Sequence, residues 1–179
     1  MQNTNILWIL GDQLRAQALG FAGDTNVSTP NIDSLAAGGI TFLNGVSGSP
    51  LCCPFRGSLL SGLYPHKAVP GHQMQLSTDL LTIAQPFKEA GYSTAWIGKW
   101  HLDGFQESEG RAAFHHVSKA RRGGFNTWIG YENNNSQYDT WVHGHQDDDE
   151  LEIQRLGSYE TDALTDLFIT HIKAKSQQK

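Results

Sequence analysis

The stretch Leu51-Cys52-Cys53-Pro54-Phe55-Arg56-Gly57-Ser58-Leu59-Leu60-Ser61-Gly62 contains both cysteines of the 179-residue chain. It predicts a short helix beyond Pro54, because no further proline interrupts it and Gly62 is a typical helix stop. Cys52 is then expected at or just before the helix N-terminus, where unpaired backbone N–H groups favour an anion. Arg56, four residues later, is expected about one turn away on the same face. A reactive sulfur and a fixed cation at a helix start predict a pocket for a tetrahedral oxyanion.

The spacing of these residues also resembles a known signature. The pattern Cys-x-Pro-x-Arg followed by x-x-x-Leu-Ser-Gly is similar to that of the type I sulfatases. The resemblance implies that Cys52 is oxidised after translation to formylglycine, with a formylglycine-generating enzyme as the maturation partner. Cys53 then takes the variable position, and Phe55 stands where a small residue is commoner. The resemblance further implies an α/β fold of the alkaline-phosphatase and sulfatase type, a mostly parallel β-sheet flanked by helices.

Other roles of the two cysteines are conceivable, and the sequence supports them to different degrees. Free cysteine is among the most buried residue types, so a structural core cysteine is the general alternative. Two adjacent cysteines argue against a disulfide framework. A zinc site lacks the usual Cys-x-x-Cys spacing. A phosphatase-type cysteine loop would need an arginine at position 58, which is serine.

A second candidate group follows the first predicted strand. The run Ile6-Leu7-Trp8-Ile9-Leu10 is continuously apolar and rich in β-formers, which predicts a strand buried on both faces. Asp12 and Gln13 follow its carboxyl end, where ligands bind in open α/β sheets. An ordinary turn aspartate is the alternative reading of Asp12.

The resemblance to sulfatases gives this pair a metal-binding role. Asp12 matches the first acid of the family's metal-binding pair. Gln13 replaces the second acid, as in branches resembling choline sulfatases and phosphonate monoester hydrolases. The implied ligands of a divalent metal are therefore Asp12, Gln13 and Cys52. Calcium is the expected ion because oxygen ligands suit hard cations, with magnesium and manganese as alternatives.

A third candidate group lies at the end of a later predicted strand. Residues 92–101 predict a strand and its exit, and residues two apart on a strand share a face. Lys99 and His101 are therefore expected to point the same way, with Trp100 opposite. An ammonium beside an imidazole suits sulfate binding or protonation of a departing oxygen. An exposed strand end is the alternative reading.

The sequence Gly-Lys-Trp-His-Leu at positions 98–102 resembles the second sulfatase signature. This resemblance implies that Lys99 and His101 bind the sulfate group and act in catalysis with Cys52 and Arg56. Asp103 stands where glycine is common, which affects the loop more than the chemistry.

The rest of the chain predicts alternating helices and strands. Helices are predicted over residues 29–39, 78–91 (with Pro86 kinking or shortening it) and 161–175, and a strand over 40–43. Residues 105–122 are predicted to form a loop. Residues 124–131 resemble the family's Gly-Phe-Asp-x-Trp segment. Solvent-facing loop positions are predicted for four histidines and one acidic run, which are His115, His116, His143, His145 and residues 147–150.

Bulk composition limits the partners and the location. The apolar content of 39% and charged content of 17% suit a soluble globular protein. The net charge of −5 and the lack of a basic stripe argue against nucleic-acid binding. No apolar run is long enough to span a membrane, so no membrane partner is expected. The polar start gives no signal segment, which makes the cytoplasm the expected location, although a chain with its leader removed would look the same.

The resemblance covers nearly the whole chain but only part of the family's length. Residues 1–179 are therefore expected to be the N-terminal part of a sulfatase catalytic domain, truncated before the remaining metal ligands. The expected function is hydrolysis of a small sulfate ester, using formylglycine and a divalent metal, incomplete in this fragment. The alternatives are a phosphonate monoester or phosphodiester hydrolase, and a non-catalytic sulfatase-like module. An uncovered apolar surface would favour self-association.

Overall fold

A computed structural model describes residues 4–176 of the chain. The chain forms two compact units, residues 1–46 and residues 47–179. Within residues 4–176, every helix is too short or too polar to cross a bilayer.

The first unit contains one α-helix, α1 (Pro30–Gly38), and a short 3₁₀ helix at Gly20–Ala22. Thr29 and Asp33 join the two. The Thr29 hydroxyl accepts the Gly20 N–H at 2.8 Å and donates to Asp33 Oδ1 at 2.7 Å. Asp33 Oδ1 also accepts the Phe21 N–H at 3.0 Å. The predicted helix over 29–39 is confirmed, with Pro30 in its first turn as expected.

The two strands predicted for this unit are wrong. No strand forms among residues 4–46, and residues 6–10 are 39–76% exposed. Ile40, Phe42 and Leu43 of the second predicted strand are also exposed. A strand needs neighbours that accept and donate its backbone hydrogen bonds, and no other strand pairs with these segments in the described part of the chain. The apolar pattern alone did not reveal this.

The second unit is built on a four-stranded sheet. Its strands are β1 (Ala95–Lys99), β2 (Thr127–Tyr131), β3 (Trp141–Gln146) and β4 (Asp149–Arg155), in the order β1-β2-β3-β4. The pairing of β1 with β2 is parallel and aligns Lys99 with Tyr131. The α/β class is confirmed.

These four strands form a mixed sheet, not the mostly parallel one predicted, because the β2–β3 and β3–β4 pairings are antiparallel. The cause in β3–β4 is local. Only residues 147 and 148 separate the two strands, and a two-residue hairpin forces antiparallel pairing. Asp147 adopts the positive φ of 52° that such tight turns require.

Four α-helices flank this sheet along the chain. They are α2 (Cys52–Ser61), α3 (Pro65–Ala68), α4 (Ala84–Glu89) and α5 (Glu160–Ser176). The predicted last helix is confirmed by α5. Helix α4 is much shorter than the predicted 78–91, because Pro86 lacks an N–H and is tolerated only in a first turn. The predicted loop over 105–122 contains three short 3₁₀ helices, at Glu107–Glu109, Ala112–Phe114 and Lys119–Arg121.

The core of this unit lies between α2 and the sheet. Trp100 and Trp128 are fully buried and meet edge to face, with ring centroids 5.9 Å apart. Gly57 in α2 lies against Val69, where an added Cβ would come within 2.6 Å of Val69 Cγ2. A second cluster packs Tyr131, Val142 and Leu156 against α5. Helix α2 and the sheet thus share one buried apolar core.

The prediction of solvent-facing loop histidines is wrong for two of the four. His143 and His145 lie in β3 and are only 1% and 2% exposed. Residues 142–145 of this strand are all buried, so both of its faces are covered. Arg122 is also fully buried, and it donates to His145 Nδ1 at 3.0 Å and to Glu150 Oε1 at 2.6 Å. Glu150, placed in a solvated loop by its sequence context, is therefore a buried arginine's counter-ion.

Candidate active site

Helix α2 begins at Cys52, as the sequence predicts. Leu51 before it is extended, so the chain enters the helix at the cysteine. The helix ends at Gly62, whose left-handed backbone (φ 70°) lets its N–H reach the Ser58 carbonyl at 2.8 Å. Cys52 therefore sits where the backbone N–H groups and the helix dipole favour negative charge.

Arg56 ties this helix to the end of β1. Its guanidinium is buried, with 7% of the residue exposed, and one NH group donates to the Lys99 carbonyl at 2.6 Å. A buried guanidinium held by a backbone acceptor is a fixed cation rather than a mobile surface charge.

Lys99 completes a group of three predicted residues. Its Nζ lies 3.6 Å from Cys52 Sγ. The ammonium therefore lies at the α2 N-terminus, 47 residues along the chain from Cys52, and the Arg56 guanidinium is bound to the backbone of the same lysine. A cation at a helix start, with a second cation held on the same strand end, suits a doubly charged tetrahedral oxyanion.

His101 lies just beyond the strand. Strand β1 ends at Lys99, so strand alternation does not fix the direction of His101 as predicted. His101 instead takes a left-handed backbone conformation with φ 54°, and it is 1% exposed. Its ring meets the His72 ring edge on, with centroids 5.2 Å apart. A positive φ at a buried non-glycine residue is a strained conformation of the kind that clusters at functional sites.

Glu132 binds the backbone directly after His101, and the sequence did not predict this role. Its carboxylate accepts the Leu102 N–H at 3.2 Å and the Asp103 N–H at 2.9 Å. Burial raises the pKa of Glu132 above its ordinary value. The only signal in the sequence is its position directly after β2, at the same edge of the sheet as the other groups.

Asp103 anchors the same loop from its other side. It contacts His115 Nε2 at 2.6 Å and forms an ion pair with Arg121. Asp103 therefore holds this loop through two side-chain contacts, with His115 and Arg121.

Cys53 follows Cys52 in α2, and His72 lies next to His101. Cys53 is fully buried, and its Sγ accepts the Gln73 N–H at 3.3 Å and lies 3.9 Å from His72 Nδ1. Burial raises the pKa of the Cys53 thiol above its ordinary value. His72 belongs to no sequence pattern, so nothing but the fold could have revealed it.

The predicted metal ligands fall in both units of the chain. Asp12 and Gln13 are exposed in the first unit, with Gln13 in a turn at φ 54°, whereas Cys52 is in the second unit. A carboxylate and an amide carbonyl are hard oxygen donors, the ligand type that calcium takes. The donor chemistry of Asp12 and Gln13 therefore fits the predicted ion, and their joint site with Cys52 stays a prediction.

The chain is similar to known proteins of one family. The family model described as Sulfatase matches residues 4–179. The chain is 38% identical over 174 residues to the ulvan-active sulfatase of Formosa agariphila, covering 97% of this chain and 32% of that protein. It is 41% identical over 107 residues to the N-acetylgalactosamine-6-O-sulfatase of Bacteroides thetaiotaomicron, covering 56% of this chain and 21% of that protein. The chain thus spans about a third or less of the length of these relatives.

A solved structure shows the same fold. The putative sulfatase yidJ from Bacteroides fragilis is 27% identical and superposes with a TM-score of 0.79, covering 94% of this chain and 40% of that one. The α/β fold expected from the sequence is thus the fold of the alkaline-phosphatase-like sulfatases.

Proposed function

This chain belongs to the sulfatase family, and we propose that it forms the sulfate-binding part of a sulfuric ester hydrolase. The observation that carries the proposal is the meeting of Lys99 with Cys52 at the start of α2, 3.6 Å from Nζ to Sγ. The bond from Arg56 to the Lys99 carbonyl supports it, because this bond ties a second cation to the same residue.

In this proposal Arg56 and Lys99 bind the sulfate oxygens. Both carry positive charge, and charge develops on those oxygens as the ester bond breaks. Donors that are already fixed in place stabilise such charge without reorganising during the reaction. The burial of Arg56 favours this role, because a buried cation acts through a lower effective dielectric than an exposed one.

The nucleophile is proposed to arise at Cys52. Formylglycine at this position would supply a nucleophilic hydroxyl group from its hydrated aldehyde. The protein's own contribution is the placement of residue 52 at a helix N-terminus, next to the Lys99 ammonium. His101 is proposed to hold a sulfate oxygen or to move a proton at its imidazole.

A divalent metal is proposed to be held in part by Asp12 and Gln13. Their oxygens suit calcium, with magnesium and manganese as alternatives. When bound, the metal would supply positive charge to polarise the sulfate group. The substrate is proposed to be a small sulfate ester.

A phosphonate monoester or phosphodiester hydrolase is a second candidate. Gln13 favours it, because a neutral amide replaces the second acid of the usual metal-binding pair and changes the charge of the site by one unit. Sulfate and phosphoryl groups share a tetrahedral shape, so the cations at α2 suit both.

The first experiment tests the modification. The chain is produced together with a formylglycine-generating enzyme, and the peptide containing positions 52 and 53 is analysed by mass spectrometry. We expect residue 52 to lose its sulfur while Cys53 keeps its thiol, and a Cys52→Ala variant serves as the control. A lasting thiol at position 52 under these conditions would contradict the proposal.

The second experiment tests oxyanion binding and turnover. Inorganic sulfate is titrated into the chain by calorimetry, and Lys99→Met is compared with Lys67→Met, which changes an exposed lysine. We expect at least about tenfold weaker sulfate binding in Lys99→Met only. Equal binding by both variants would refute the assignment.

Turnover is then compared on an aryl sulfate, a phosphonate monoester and a phosphodiester. Preference for the sulfate ester supports the proposal, and preference for either phosphorus ester supports the second candidate. Inactivity on all three, with the aldehyde and the metal both verified, would indicate a non-catalytic module.

A further inference from the structure

We propose that Cys53, His72 and His101 form a binding site for a soft divalent cation, Zn²⁺ being the best fit. One sulfur and two imidazole nitrogens from these residues all lie within 4.8 Å of one another. These ligands differ in kind from the oxygen donors of Asp12 and Gln13, which suit a hard cation.

The ligand atoms lie somewhat farther apart than in a tetrahedral zinc centre. Bonds of about 2.3 Å to sulfur and 2.0–2.1 Å to nitrogen place ligand atoms roughly 3.3–3.6 Å apart in a tetrahedron. Cys53 Sγ lies 3.9 Å from His72 Nδ1, and the ligand nitrogen of His101 lies within 4.8 Å of both, so the three side chains would have to move closer together to bind the ion. Three protein ligands leave one tetrahedral position for a water molecule or an anion.

The surrounding backbone holds the two histidine-bearing segments together. The Leu76 N–H donates to the Leu102 carbonyl at 2.9 Å, and Gln75 and Asp103 form an isolated bridge. The Gln106 side chain donates to the Gln73 carbonyl at 2.8 Å. The segments after His72 and after His101 are therefore paired with each other, which keeps the two imidazoles adjacent without a metal.

Helix α2 supplies the third ligand. Cys53 is fully buried in its first turn, and the Gln73 N–H donates to its Sγ at 3.3 Å. Burial raises the pKa of this thiol, and the Gln73 N–H opposes that effect in part by stabilising the thiolate, the form that binds metal. Binding would release the thiol proton to solvent and form the sulfur–metal bond.

The same three residues determine how a cation reaches the site and which cation binds. His72 is exposed whereas Cys53 and His101 are buried, so a cation can approach from the His72 side. Thiolate and imidazole ligands select Zn²⁺, Co²⁺ or Cu²⁺ over Ca²⁺ and Mg²⁺. One consequence rests on the proposed function: a bound ion would occupy His101, so micromolar zinc would inhibit turnover. The binding itself does not depend on that function.

Cobalt is the probe for the test, because it gives optical bands that zinc lacks. Co²⁺ is titrated into the untagged chain, and the sulfur-to-cobalt charge-transfer band and the tetrahedral visible bands are recorded. We expect one Co²⁺ per chain with both sets of bands, displaced by added Zn²⁺ and not by Ca²⁺.

Matched variants assign the ligands. Cys53→Ser should abolish the sulfur band, and His72→Ala should weaken Co²⁺ binding at least about tenfold. Cys52→Ser and His66→Ala should leave both unchanged, since His66 is an exposed histidine outside the cluster. Circular dichroism checks the fold of each variant, and His72→Ala keeps the test decisive if Cys53→Ser fails to fold.

Either of two results would overturn the proposal. The first is the absence of any sulfur band in the native chain. The second is a band that Cys52→Ser removes and that His72→Ala leaves intact, which would place the metal on the other cysteine. Since the readout is optical and needs neither formylglycine nor turnover, it is independent of whether the chain acts as a sulfatase.

Discussion

Among single residues, Arg56 makes the contact on which the geometry of the candidate site depends. It is buried, and its guanidinium donates to the Lys99 carbonyl. The sequence predicted Cys52, Arg56 and Lys99 because their spacing within two short signatures is distinctive. It could not predict His72 or Glu132, because each reaches the site through contacts with residues distant in sequence and belongs to no local pattern.

Replacing Arg56 should destabilise the fold as well as weaken anion binding. We expect Arg56→Ala to lower the free energy of unfolding by about 1–3 kcal/mol, because it leaves the Lys99 carbonyl without this donor. Urea denaturation at neutral pH measures the change. Arg15→Ala, at a side chain that is 74% exposed, is the control and should alter stability by no more than about 0.5 kcal/mol. Equal stability of the two variants would contradict the prediction.

His143 should make the protein sensitive to acid. Burial, followed by the nearby charges of His116 and Arg122, lowers the pKa of His143 from 6.5 to about 4. Its Nε2 accepts the Val117 N–H at 2.9 Å, so protonation there would break this hydrogen bond. Below the ordinary pKa the unfolded chain takes up a proton that the folded chain does not. Stability is therefore present above pH 6.5 and is lost as the pH falls towards 4.

We expect this histidine to reduce the free energy of unfolding by about 2 kcal/mol between about pH 7.5 and about pH 5. Urea denaturation at the two pH values measures the loss, and His143→Asn should make it smaller. His66→Asn, at an exposed histidine, should leave it unchanged. A pH dependence that is identical in His143→Asn and the native chain would show that another group is responsible.

Among helices and strands, the elements that were predicted correctly carry their own boundary signals. Helix α1 has Pro30 in its first turn, and α2 ends at the left-handed Gly62. The apolar runs at residues 6–10 and 40–43 carry no such signals, and whether they become strands depends on partners elsewhere. Hydrophobic pattern therefore predicted helices with defined ends better than strands.

The pairing of β2 with β3 should depend on Gly144. An added Cβ at this position would overlap the Trp128 carbonyl oxygen of the neighbouring strand. Since that oxygen belongs to the backbone, the clash cannot be relieved without separating the strands. We expect Gly144→Ala to lower the free energy of unfolding by more than about 4 kcal/mol or to prevent folding, as measured by urea denaturation and circular dichroism.

Gly157→Ala is the matched control for this change. A Cβ there would meet nothing within 4 Å, and its stability should stay within about 0.5 kcal/mol of the native value. A Gly144→Ala variant as stable as Gly157→Ala would mean that β2 and β3 are not paired as described.

For the whole molecule, the first unit presents an unusual amount of apolar surface. Trp8 is 56% exposed and Ile9 is 76% exposed, within a run of five apolar residues. Contiguous exposed apolar residues promote association in water. The predicted self-association of the chain therefore has a specific candidate surface, residues 6–10.

We expect the 179-residue chain to form concentration-dependent oligomers in sedimentation velocity measurements. The double variant Trp8→Ser, Ile9→Ser should shift it towards monomer, because it removes apolar area from this surface. Gln17→Ser, an exposed polar change in the same unit, should leave the distribution unchanged. A native chain that stays monomeric at all concentrations would argue against the prediction.

The bond between Arg56 and the Lys99 carbonyl joins two signatures that are 43 residues apart. Its implication for protein engineering is that neither signature is a portable part by itself. A designer who grafts the proposed oxyanion pocket onto a new scaffold would have to transfer the helix start and the strand end as one rigid block. Either piece alone would arrive with a polar group that has lost its counterpart.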